Sequence, residues 1–152
     1  MAYDPSAIME RDRSWHYSAI WVGAAGAVFS AANLFIGMDN VLSAMAYGAM
    51  AGGPLSVAFS RRPDEYLTSL LRVGLRWLSA ALGVYLMLYF WIARGDVANE
   101  LGYWLADGET RYNASAFAQA ATNGTNALMA LALAFYAGFA FVWVRDRVRA
   151  DA

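Results

Sequence analysis

The chain has one histidine, His16, and neither cysteine nor lysine, which narrows its chemistry at once. Without cysteine there is no disulfide, no thiol nucleophile and no thiolate metal site. A lone imidazole binds haem or carries protons in some proteins, but one histidine cannot supply both axial ligands from a single chain. His16 stands between Trp15 and Tyr17 at the start of a long apolar run. Anchoring a helix at a membrane interface is the expected use there. The sequence holds no glycine-rich loop ending in Lys, no HExxH pair and no nucleophile elbow. No catalytic residue, cofactor or metal is therefore expected, and the chain is not expected to be an enzyme.

The remaining polar candidates punctuate the apolar runs. Asn33 is the clearest polar side chain inside one, with Asn40, Gln119, Asn123 and Asn126 toward the same side. Amides in a bilayer bond across helices, for about 0.6 to 2 kcal/mol each. They predict either interhelical bonds or a polar vestibule. Asp39, in the short connection 38–40, is expected to cap or solvate that turn. Its rival use is as a carboxylate at the mouth of a path between spans.

Gly48 and Gly52 have the four-residue spacing that lets two helices approach closely. Packing against Gly23, Ala27 and Ala31 of the first run is the default expectation, and a face for self- or partner-association is the sharper one. Pro54 removes a backbone donor, so a kink is expected whose freed carbonyl needs a neighbouring helix or water. Arg61, Arg62, Pro63, Asp64, Glu65 and Tyr66 form the densest polar motif. Proline followed by two acids predicts a helix start. As a functional element, the same loop is a docking site for a protein or for anionic headgroups.

Long helices must position these residues. Charge-free windows cover 14–38, 40–60, 77–93 and 112–144, and about 20 apolar residues at 1.5 Å each cross the hydrocarbon of a bilayer. Hydrophobic residues make up 60% of the 152, against roughly 45–50% in ordinary soluble chains. A soluble domain of this size cannot hide so much apolar surface. The expected fold is all-α in one domain: a polytopic membrane protein with a four-transmembrane-helix antiparallel bundle. Its spans lie near 17–37, 41–59, 74–92 and 126–144. Val97, Leu101, Trp104 and Leu105 recur at helical spacing and predict a short extracytoplasmic surface helix. Residues 112–124 read as a lead-in to the last span. Arg72 and Arg76 share a helix face and are expected to snorkel toward headgroups.

Nine arginines fall on one side of this topology and only Arg94 and Arg111 on the other. The positive-inside bias predicts both termini in the cytoplasm. The all-arginine basic set, with abundant Ala and Gly, reads as a GC-rich coding bias and a bacterial inner membrane. The formal net charge of −1 argues against nucleic acid as a partner. No Asp, Glu or Lys lies inside a predicted span, which argues against an ion-coupled carrier. The expected function is a small interaction protein of the membrane: an accessory subunit or assembly factor of a larger complex, or a homo-oligomer. Its partners are membrane lipids and other membrane subunits or copies of itself. The alternative is a small oligomeric channel or carrier for a neutral or weakly polar solute, and a phage-type pore-former is a third, weaker reading.

Overall fold

The computed structural model describes residues 10–59, 64–107 and 116–150. Among them every regular element is an α-helix: α1 (Glu10–Ile36), α2 (Val41–Ala58), α3 (Glu65–Asp107), α4 (Ala116–Thr122) and α5 (Gly124–Ala150). Four of these, α1, α2, α3 and α5, are long and apolar enough to cross a membrane. The predicted spans fall within these four helices to within a residue, and α3 overshoots its span at both ends.

The α1–α2 connection is specified residue by residue. Gly37 adopts a left-handed conformation, φ 71°, and its N–H donates to the Asn33 carbonyl at 2.8 Å. That closes α1 in the way a glycine just past a helix end commonly does. Asn40 then caps α2: its side chain accepts from the Ser43 N–H at 3.1 Å, and the Ser43 hydroxyl accepts from the Asn40 N–H at 3.3 Å. This reciprocal pair satisfies donors that a helix start leaves bare.

So tight a turn folds α2 back along α1, and glycines let the two backbones approach. A β-carbon placed on Gly26 would lie 2.6 Å from the Ala46 carbonyl oxygen, and one on Gly53 would lie 3.0 Å from that of Ala19. Gly26 and Gly53 thus face opposite ends of the partner helix, which makes the pairing antiparallel. α3 and α5 interlock differently, through reciprocal glycine–aromatic seats. Phe135 of α5 covers Gly74 of α3, and Trp77 of α3 covers Gly138 of α5. At one end Tyr66 lies close to Asp146 and Arg145, so the start of α3 meets the end of α5. Trp21 joins the two pairs, standing edge-on to Phe139 at 5.7 Å and to Trp143 at 5.1 Å. The shared core contains Ile20, Ala27, Leu67, Leu70, Phe135 and Phe139.

One expectation needs correction. Val97, Leu101, Trp104 and Leu105 do not form a separate surface helix; they belong to α3, which runs unbroken for 43 residues. Between Ile92 and Asp107 the only weak formers of note are Gly95 and Gly102, at about 1 kcal/mol each, and no proline interrupts the ladder. At 1.5 Å per residue, α3 is about 64 Å long against about 40 Å for α5. The lead-in to the last span is a helix of its own: α4 ends at Thr122 and α5 starts at Gly124. Asn123 caps α5, accepting from the Thr125 N–H at 2.9 Å, and residues 112–115 lie outside the described residues.

Candidate functional site

Proline 54 sits inside α2 without interrupting it. Lacking an N–H, it leaves the carbonyl four residues earlier, that of Met50, without its helical donor. A hydroxyl from another helix fills the gap: Tyr136 of α5 donates to the Met50 oxygen at 2.7 Å. Tyr136 reaches that carbonyl only because both neighbouring helices lack a side chain in its path. A β-carbon on Gly53 would lie 2.7 Å from the Tyr136 oxygen, and one on Gly23 would collide with it. Tyr136 is 5% exposed, so its polar tip has no water to turn to. This node ties α1, α2 and α5 at one point.

Gly48 and Gly52 are not part of the α1–α2 contact. Nothing lies within 4 Å of a β-carbon on either, and both are exposed. The default expectation for this pair is therefore overturned. The helical phase explains why. Ser43, Ala46, Gly53 and Val57 are the buried residues of α2, and positions 48 and 52 fall between those turns. The glycines used at close approaches are Gly23, Gly26 and Gly53, and Gly26 and Gly53 lie outside the spacing that the sequence singled out. Ala44, Gly48 and Gly52 instead form an outward strip flanked by the exposed Met45 and Leu55.

The amides make local bonds. The Asn33 side chain donates to the Met38 carbonyl at 2.8 Å and accepts from the Met38 N–H at 2.9 Å. It locks the hairpin turn rather than reaching another helix. Two such bonds at about 1 kcal/mol each set the expected cost of Asn33→Leu at about 1–2 kcal/mol. Detergent unfolding followed by circular dichroism checks it. Asp39 is exposed in that turn. Asn126 donates to the Ala120 carbonyl at 3.0 Å, bridging the break between α4 and α5.

At the opposite end, Asp64 directly precedes α3 and caps it. Its carbonyl accepts from the Thr68 N–H at 2.9 Å and from the Thr68 hydroxyl at 3.0 Å. Its carboxylate accepts from the Tyr17 hydroxyl of α1 at 3.2 Å. Glu65 opens α3 as its first-turn acid, where the helix dipole favours it. Arg61 and Arg62 lie outside the described residues. Arg145 pairs with Asp146 at 2.9 Å, and Arg147 lies 4.9 Å over the Trp143 ring.

No protein-family model, curated protein or solved structure matches this chain. Its function has to be argued from the geometry alone. Among the described residues no three His, Asp or Glu side chains gather as a metal ion requires. The spaces between helices are apolar. One lies between α1 and α5, with walls that include Trp21, Phe29, Ala32, Leu133 and Ala140. Another lies between α2 and α3, where Arg72 joins Pro54, Val57 and Phe135.

Sequence reading missed Tyr136 as the partner of Pro54. The available signal was a tyrosine deep within a charge-free run, where a buried hydroxyl needs an acceptor. Ser30 carries the opposite lesson. It is 1% exposed, and its hydroxyl has no hydrogen-bond partner among the described residues. Ser30→Ala is expected to leave the protein as stable as before or up to about 1 kcal/mol more so, since it removes an unsatisfied buried group. A thermal shift in detergent reads this.

Proposed function

We propose that the chain is a small integral-membrane interaction protein, an accessory subunit or assembly factor of a larger membrane complex. It crosses a bacterial inner membrane four times as an antiparallel bundle, with both termini in the cytoplasm. The observation that carries the reading is the reach of α3. Its exposed Leu82, Val84, Leu86, Leu88 and Phe90 fall within the charge-free window, where lipid tails account for their exposure. Val97, Leu101, Trp104 and Leu105 are also exposed, but they lie beyond Arg94 and Asp96 and project past the start of α5. They line one face, and lipid hydrocarbon does not account for them there. Another protein does. The outward Ala44, Gly48 and Gly52 strip supports a second helix contact at membrane depth, by a partner or another copy of the chain.

The competing class is a channel or carrier for a neutral or weakly polar solute. The amides that would line its mouth, Asn33 and Asn126, are bonded to nearby backbone, which favours the interaction role.

Purification in mild detergent followed by mass spectrometry tests the proposal. Unrelated membrane subunits are expected to accompany the chain. Leu101→Lys with Leu105→Lys is expected to release them while leaving membrane insertion intact. Solute flux in liposomes holding the chain alone, with no co-purifying subunit, would sink the proposal.

A further inference from the structure

Arg72 is exposed and lies inside the arginine-rich ends of the other helices. The start of α3 is level with the end of α5, through Tyr66 and Asp146, and with the start of α1, through Asp64 and Tyr17. Gly74 lies against Phe135 and Trp77 against Gly138, so residues 75–76 are level with 136–137, about 13 Å inside Arg145. Arg72, three to four residues nearer the arginine-rich end, is then about 7–8 Å inside. At that level α1, α2 and α5 carry no charged residue. Among the described residues no carboxylate pairs with Arg72 or with Arg76.

Arg72 borders a groove rather than a packed interface. α2 and α3 barely touch, and a space of about 410 Å³ separates them. Pro54 and Val57 of α2, Leu71 and Leu75 of α3 and Phe135 of α5 wall it. The Thr68 hydroxyl at its edge already donates to the Asp64 carbonyl. An apolar slot with one unpaired cation at its rim is complementary to an amphiphile with an anionic head and a hydrocarbon tail. An arginine at this depth draws phosphate toward it or thins the bilayer locally, and its planar donors match phosphate in pairs.

We infer that the α2–α3 groove is a binding site for one anionic glycerophospholipid of the cytoplasmic leaflet. Its phosphate sits on Arg72, and an acyl chain lies along Pro54, Val57 and Leu75. The inference rests on the membrane topology proposed above. It adds a named occupant and a named ligand residue, and it gives α3 a reason to carry charge inside the level of the other helices. The lipid fills the gap between the α1–α2 and α3–α5 pairs on the side that Trp21 does not close.

Native mass spectrometry of the full chain in mild detergent tests this, with phosphatidylglycerol and phosphatidylethanolamine of identical acyl chains as probes. The anionic lipid is expected to be retained about fivefold better, the factor one arginine contributes near an anionic surface. Arg72→Gln is expected to bring the ratio to about one, and Arg72→Lys, which keeps the charge but loses the paired planar donors, to retain only part of it. Ala58→Leu, which narrows the groove and keeps the charge, is expected to reduce retention of both lipids. Arg149→Gln, at the end of α5, is expected to change neither value. Inorganic phosphate in excess is expected not to displace the lipid.

An undiminished ratio in Arg72→Gln overturns the inference. If that variant does not fold, unaltered retention in Ala58→Leu does so instead. Loss of an acidic membrane protein from Arg72→Gln, with no lipid preference in the parent, also overturns it and assigns the arginine to a partner's carboxylate. Extraction of the chain from membranes by alkaline carbonate defeats the membrane topology itself. Firm retention in membranes with no lipid preference defeats only the groove.

Discussion

Gly26→Val is expected to destabilise the protein by about 3 kcal/mol, the upper end of the range for overpacked interiors, and to part α1 from α2. The atoms that a β-carbon would meet there are the Ala46 carbonyl oxygen at 2.6 Å, the Ala49 β-carbon at 3.1 Å and the Met50 nitrogen at 3.1 Å. Two of the three are backbone, so no rotamer change relieves the clash and the helix itself must move. The turn at Gly37 and Asn40 permits little sliding because both ends are capped. Gly48→Val is the matched control. It adds the same volume to the same hairpin at a position with nothing within 4 Å. Its fold stability is expected to change only by the helix-propensity difference, under about 1 kcal/mol. Titration with a denaturing detergent, followed by far-ultraviolet circular dichroism, separates the two. Equal loss in both variants would show that the hairpin is not closed through Gly26.

Tyr136→Phe has the next largest expected effect, and its logic lies in a cycle rather than a single number. Removing the hydroxyl leaves the Met50 carbonyl without either its helical donor or its donor from α5. The expected cost is about 1–2 kcal/mol, within the range for an unmade buried hydrogen bond and near the largest values measured in membranes. Pro54→Ala restores an N–H that can bond the Met50 carbonyl within α2. In that background Tyr136→Phe is expected to cost at least about 0.5 kcal/mol less, a coupling that neighbouring sites sharing one partner should show. Strictly additive losses would mean that the hydroxyl and the proline act independently, and that the 2.7 Å contact does not offset the missing donor.

These two sites also bear on the interaction role. Gly26 and Tyr136 hold the chain to itself, whereas Gly48, Gly52 and the far part of α3 face away from it. Variants of the first group are expected to lower folded yield. Those of the second are expected to leave folding intact and alter association. Mutational effects that fail to divide in this way weaken the proposed accessory role more than any single failed substitution.

The sequence by itself determined that four helices form and where they run. Charge-free runs of membrane-crossing length constrain local structure directly, because helix length depends on near neighbours. It also showed that Pro54 needs a partner for a freed carbonyl, since that deficit is intrinsic to the residue. Only the tertiary structure decided who that partner is. Tyr136 lies 86 residues away, and no periodicity encodes which helix faces which. Helix phase similarly reversed the reading of the glycines. Gly48 and Gly52 share the spacing associated with close packing, but a rotation about α2 points them outward and brings Gly53 to α1. The length of α3 fell between the two levels. Nothing local stops the helix at Gly95, yet only its pairing with α5 reveals how far it overshoots and how deep Arg72 lies. Local energies select the helices, while rotation and axial offset are set by contacts between residues far apart in the chain.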